Sequence, residues 1–92
     1  MSPSSELIVE RNARLPERVA LHARPAGLLV RAAAVFAAEV YVSANGRRAN
    51  AKSILDVLAL GAEGGTDLAI EASGEDATAA AQHLALLIPE LA

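Results

Sequence analysis

His22 stands two residues before Arg24 and three before Pro25 in the stretch VALHARPAG, and it is one of only two histidines in a chain of 92 residues. Proline has no N–H and a fixed φ, so it fits the first turn of a helix, where the N–H groups lack intrahelical acceptors in any case. A helix is therefore expected to begin at His22 or Ala23. An imidazole at that boundary sits beside unpaired backbone N–H groups and the positive end of the helix dipole, a setting that favours an anion and phosphate above all. Arg24 adds a planar cation suited to phosphate oxygens. An imidazole titrates near pH ~6.5, so at cellular pH a histidine largely keeps a free nitrogen lone pair for nucleophilic attack. Together these residues suit a histidine that accepts and surrenders a phosphoryl group. A histidine at a helix start is also often a plain cap or surface residue, and spacing alone leaves that alternative open.

The chain that must position this histidine is built for one small domain, residues 1–92. Apolar residues make up 53% of it, with one Phe, one Tyr and no Trp, so the core must come from Leu, Ile, Val and Ala. No cysteine is present, which excludes a disulfide framework, a thiol nucleophile and Cys-based metal sites. No metal or cofactor is expected. A net charge of −3 with both signs interspersed argues against a nucleic-acid partner. Met1 to Asn12 has no apolar signal-like core, and the run from Ala32 to Ala38 is too short to span a bilayer. A soluble, cytoplasmic monomer with no membrane partner is expected, with residues 1–6 a loosely ordered polar tail.

Alternation of Val9, Ala13 and Leu15 with polar residues predicts a first strand over Val9–Leu15, broken in pattern only at Arg11. Ala26, Leu29, Val30, Ala33, Phe36 and Ala37 recur at helical spacing, with Arg24, Gly27 and Arg31 on the other side. Val40 and Val42 alternate with Tyr41 and Ser43 in a second strand over Glu39–Ala44, and Asn45-Gly46 is a strong hairpin signal leading to a short third strand over Arg47–Asn50. SILDVLALG reads as a short helix stopped at Gly61. Gly64-Gly65 then turns the chain into a strand over Thr66–Ser73. Asp76 is expected to cap a last helix whose apolar positions are Ala77, Ala80, Ala81, Leu84, Leu87 and Ile88, ended by Pro89. The order is βαββαβα. It implies an α+β two-layer sandwich, a four-stranded antiparallel sheet with three helices on one face and the other face, with Tyr41, Ser43, Asp67 and Glu71, toward solvent.

Two segments in this order, LHARPAGLLVRAAAVF and NAKSILDVLALGAEGG, resemble the HPr family, the histidine-containing phosphocarriers of the phosphoenolpyruvate:sugar phosphotransferase system. The resemblance runs from about Val9 to Ile88. It implies the open-faced β-sandwich fold, a phosphoryl group carried on Nδ1 of His22, and Arg24 steadying that group. The implied partners are enzyme I, charged by phosphoenolpyruvate, and enzyme IIA domains that receive the group; the protein would be a stoichiometric carrier and not an enzyme. The family usually has Gly before the Leu-His pair, where this chain has Ala20, and Arg18 is a candidate extra cation for the phosphate.

Ser53 precedes the short helix and is first of all an N-cap. The resemblance adds a second role, phosphorylation by HPr kinase/phosphorylase for carbon catabolite control, with a catabolite-control transcription regulator as the reader. Ile54, Leu55, Val57, Leu58 and Leu60 ring the short helix almost completely, so some must face outward; by resemblance Ile54, Leu55 and Leu58 form the docking patch near His22. Two other readings stand beside the sugar-system carrier: a nitrogen-related or glycerone-kinase-linked carrier using the same histidine, and a regulatory module acting through Ser53. The latter kind lacks the histidine. His83 reads as a solvated surface residue, and Arg47, Arg48 and Lys52 as a solvated basic edge.

Overall fold

The computed structural model describes residues 8–92; the expected tail at residues 1–6 lies outside them. Strand β1 covers Ile8–Arg14, helix α1 Ala23–Ala34, β2 Glu39–Ala44, β3 Arg47–Asn50, α2 Ile54–Ala59, β4 Asp67–Ser73 and α3 Ala77–Leu87, continued by a 3₁₀ turn over Ile88–Glu90. The four strands form one antiparallel sheet in the order β1-β4-β2-β3. This is the open-faced sandwich expected from the element order.

Register explains which residues make the core. Val9, Ala72 and Val40 lie in one cross-strand row, Ile70, Val42 and Ala49 in the next, and Ala13 opposite Leu68 in a third. All are buried and share one core with Ala26, Leu29 and Ala33 of α1, Val57 of α2 and Ala80, Ala81 and Leu84 of α3. Arg11 occupies a core-side position of the second row, opposite Ile70, yet is exposed. It can be, because β1 is an edge strand whose rim lets the guanidinium turn out to the Glu10 carbonyl at 2.8 Å. The outer face carries Tyr41, Ser43, Asp67 and Glu71 as expected. Arg48 lies 3.8 Å over the Tyr41 ring and bonds Glu71, and Arg14 pairs with Asp67, its register partner.

At the hairpin Asn45 and Gly46 both have positive φ, 56° and 75°, the conformation a two-residue turn of primed type requires. Gly61, at φ 63°, follows the cap of α2 and ends it.

Two expectations need correction. Helical spacing in the sequence continues through Phe36 and Ala37, but α1 stops at Ala34. Asp76, expected to cap α3, sits at its N-cap position without capping it. The causes are the same. Asp76 accepts hydrogen bonds from the amides of Ala37 at 2.9 Å and Ala38 at 2.7 Å, while Lys52 Nζ donates to the Phe36 carbonyl at 2.7 Å. Three consecutive residues after α1 are thus held by charges from two distant segments, and the backbone leaves the helix to meet them. The Ala37 amide, with that of Ala38 and the Lys52 charge, holds the Asp76 carboxyl below the usual carboxylate range against an opposing desolvation effect.

Candidate functional site

His22 is the N-cap of α1, with extended backbone at φ −85° and ψ −170°. Its carbonyl accepts the amide of Ala26 at 2.9 Å and so opens the helix, while its ring is exposed and makes no capping hydrogen bond. Its amide donates to the Ala20 carbonyl at 2.8 Å, and Pro25 has no N–H to satisfy. The amides of Ala23 and Arg24 therefore remain without a backbone acceptor among the described residues. The first turn has no acidic residue to occupy them. Arg24 is exposed on that same turn, whereas Pro25 and Leu21 are buried and anchor the backbone on either side.

Ala20 needs no left-handed backbone. Asn45 is the one non-glycine residue with positive φ among those described, so the loop path is open to alanine at this position. The loop is instead fixed by long-range bonds. Leu15 donates to the Thr66 carbonyl at 3.0 Å, Gly65 to the Leu15 carbonyl at 3.1 Å, and Leu21 to the Ala62 carbonyl at 2.9 Å. Arg18 is exposed on the same loop.

Helix α2 lies antiparallel beside α1, a consequence of two ties. Lys52, just before α2, reaches Phe36 beyond the C-terminal end of α1; Ala62, just after α2, holds Leu21 at the N-terminal end. Ser53 caps α2 as expected, its Oγ accepting the Asp56 amide at 3.3 Å. Since α2 rises about 9 Å over six residues, Ser53 stands at the end remote from the Leu21 tie. Val57 and Leu60 are buried, Leu58 is half-buried, and Ile54 and Leu55 are 38% and 76% exposed. The exposed pair is the outward apolar surface that the crowded apolar pattern of α2 required.

The basic cluster is exposed but is not merely solvated. Arg47 donates to the Ala59 carbonyl at the C-terminal end of α2, Arg48 to Glu71, and Lys52 to Phe36. Each cation has an acceptor that sequence spacing could not reveal. His83 is exposed as expected, with its ring 5.7 Å from that of Phe36. Two open clefts, of about 390 Å³ by Arg47 and Asp56 and about 260 Å³ by Tyr41 and Glu71, do not include His22. His22 itself sits at an exposed helix start. No group of three or more His, Cys, Asp or Glu side chains among the described residues is gathered to hold a metal ion, and no helix there is long and apolar enough to cross a membrane.

The chain matches the family model described as the PTS HPr component phosphorylation site over residues 9–90. It is 40% identical to the phosphocarrier protein HPr of Streptomyces coelicolor over 84 residues, 90% of each chain. The crystal structure of HPr from Bacillus anthracis superposes with a TM-score of 0.83 at 32% identity, covering 88% of this chain and 96% of the other. The HPr-like protein Crh of Bacillus subtilis is 34% identical over 90% of this chain and 98% of its own length. Matched by the family model over residues 9–90, and alike to these relatives over almost their whole length, the chain belongs to the HPr family, the phosphocarriers of the phosphotransferase system.

Proposed function

We propose that this protein carries a phosphoryl group on His22, taking it from phosphoenolpyruvate-charged enzyme I and passing it to an enzyme IIA of a sugar phosphotransferase system. The observation that carries this reading is the place of His22: an exposed imidazole that caps nothing, followed by two amides without backbone acceptors. In the loading step the Nδ1 lone pair forms a bond to phosphorus. The bond from phosphorus to the donor breaks and its electron pair returns to the donor, and no proton has to leave the imidazole for the new bond to form. Arg24 and the N-terminal amides supply positive charge to the phosphoryl oxygens. A charge at an exposed helix end is stabilised by about 0.3–1 kcal/mol, enough to favour the group without trapping it. Onward transfer needs that modesty, since a carrier must release what it binds.

The same reading makes the protein a single-domain, cytoplasmic, monomeric carrier without cofactor, docking partners through Ile54, Leu55 and Leu58. A regulatory role at Ser53, written by HPr kinase/phosphorylase and read by a catabolite-control transcription regulator, is favoured by the likeness to Crh, described as the catabolite repression HPr of Bacillus subtilis. The test is a load-and-chase experiment. Phosphate on His22 should rise with enzyme I and phosphoenolpyruvate and fall when enzyme IIA of a sugar system is added. Loading without discharge to any sugar-system acceptor, but with discharge to a nitrogen-related or glycerone-kinase-linked one, would assign the chain to that branch instead.

A further inference from the structure

The loop from Leu15 to Leu21 runs against the segment from Ala62 to Thr66 and is bonded to it at both ends, by Leu15 and Gly65 on one side and by Leu21 and Ala62 on the other. Gly64 lies between these bonds, facing Glu17. A Cβ on Gly64 would land on the Glu17 carbonyl, far inside contact distance, and 3.1 Å from the Pro16 carbonyl. Its φ is not in the left-handed region, so alanine is excluded there by the neighbouring backbone and not by conformation. Ordinary C···O contacts begin near ~3.3 Å, so any side chain at residue 64 would force the two segments apart by roughly an ångström. The neighbour is main chain. No rotamer of residue 17 relieves it.

We propose that Gly64 is a positioning residue for His22, setting the distance between the imidazole and the docking face of α2. The inference rests on His22 being the phosphoryl acceptor. Leu21 is the last residue before His22, and Ala62 is two residues before Gly64 and two after the last turn of α2 at Leu60. Separation at Gly64 therefore acts, beside the bonds of Gly65 to Leu15 and Pro16, on the Leu21 to Ala62 bond that ties the residue before His22 to the end of α2. The apolar patch itself lies on the other side of this joint and keeps its own packing through Val57 and Leu60. Displacing a nucleophile by about an ångström can cost up to ~100-fold in rate without loss of binding.

The test is Gly64→Ala, with two measurements. Amide hydrogen exchange at Leu21 reads the joint directly and needs no phosphoryl donor; it should be faster than in the unaltered protein. Single-turnover and steady-state transfer from phosphorylated enzyme I should then show kcat reduced roughly 10–100-fold, with KM for the carrier within about twofold. Gly46→Ala, with nothing within 4 Å of an added Cβ but strained by its positive φ of 75°, lowers global stability without touching the joint and should leave kcat unchanged. A glycine inserted between Arg18 and Val19 slackens the same loop without a collision and should reproduce the kcat loss, and it decides the matter if Gly64→Ala does not fold. Unaltered Leu21 exchange, an unchanged kcat, or a rise in KM alone would overturn the proposal. Failure of the unaltered protein to load at all would overturn the functional reading on which it rests, a distinct result.

Discussion

The amide of Leu21 donates to the carbonyl of Ala62 at 2.9 Å, and this bond joins the residue before His22 to the segment that leaves α2. Lys52 closes the other end of the α1–α2 pair on Phe36, so the two helices are tied at both ends. On the proposed reading, a phosphoryl donor seated on α2 meets His22 across these two ties.

Arg24→Lys keeps the positive charge but loses the planar fork that matches phosphoryl oxygens. Arg24 is exposed and contributes nothing to the core. Thermal stability should change by no more than about 0.5 kcal/mol, while transfer to His22 slows severalfold. A transfer rate equal to that of the unaltered protein would assign Arg24 to the solvated helix face alone.

Leu55 is the most exposed residue of the apolar patch, at 76%. Leu55→Ser should leave the melting temperature almost unchanged, because little of that side chain packs within the protein. Association with enzyme I should weaken by about tenfold, corresponding to ~1.4 kcal/mol of lost apolar contact. Titration calorimetry with unphosphorylated enzyme I separates this effect from chemistry, and equal affinity would remove Leu55 from the interface.

Asp76 gives a pH-dependent term with a definite sign. Its carboxyl lies below its ordinary value of 3.8 in the folded protein, chiefly through the Ala37 amide. A depressed carboxylate contributes stability that is complete above the unfolded value and is lost as pH falls through the folded one. Asp76→Asn retains one acceptor and turns a donor toward the other amide. The melting temperature of the variant should be lower than that of the unaltered protein by a constant margin above about pH 5, with the margin narrowing below about pH 4. A margin that stays constant down to pH 2 would show that the two amide bonds do not depend on the ionised carboxylate.

Ser53→Asp brings a second carboxylate into a first turn that already contains Asp56. The Asp56 carboxylate is held close by the Asn50 amide at 3.3 Å, and its own amide is the donor to Ser53. Like charges three residues apart on a helix cost about 0.2–0.5 kcal/mol, so the fold should survive with a small loss of stability that disappears in Asp56→Asn. The larger effect should be on docking, because the new charge lies beside Ile54 and Leu55: loading by enzyme I should slow, and extra phosphoenolpyruvate should not restore it. An equal loading rate would separate Ser53 from the interface.

Much of the site was legible in the sequence because it depends on local rules. Pro25 placed the helix start at His22, Ser53 capped α2, and Asn45-Gly46 set the hairpin, each within a few residues of its partner. The remainder depends on partners remote in the chain. Phe36 and Ala37 keep helical spacing but are drawn out of α1 by Lys52 and Asp76, 16 and 39 residues away. Arg47 looked like a free cation until the fold brought the end of α2 beneath it. Gly64 read as a turn residue, and only the approach of the Glu17 backbone shows why no side chain fits there.

The most direct test of the central claim is to incubate the protein with enzyme I and labelled phosphoenolpyruvate and map the label. One phosphoryl group per chain should appear on His22, stable in base and lost in acid, where protonation of the nitrogen makes it a better leaving group. His22→Ala should retain its fold, since the ring caps nothing, and should take up no label. Label that persists in His22→Ala, or that maps to His83, would contradict the account.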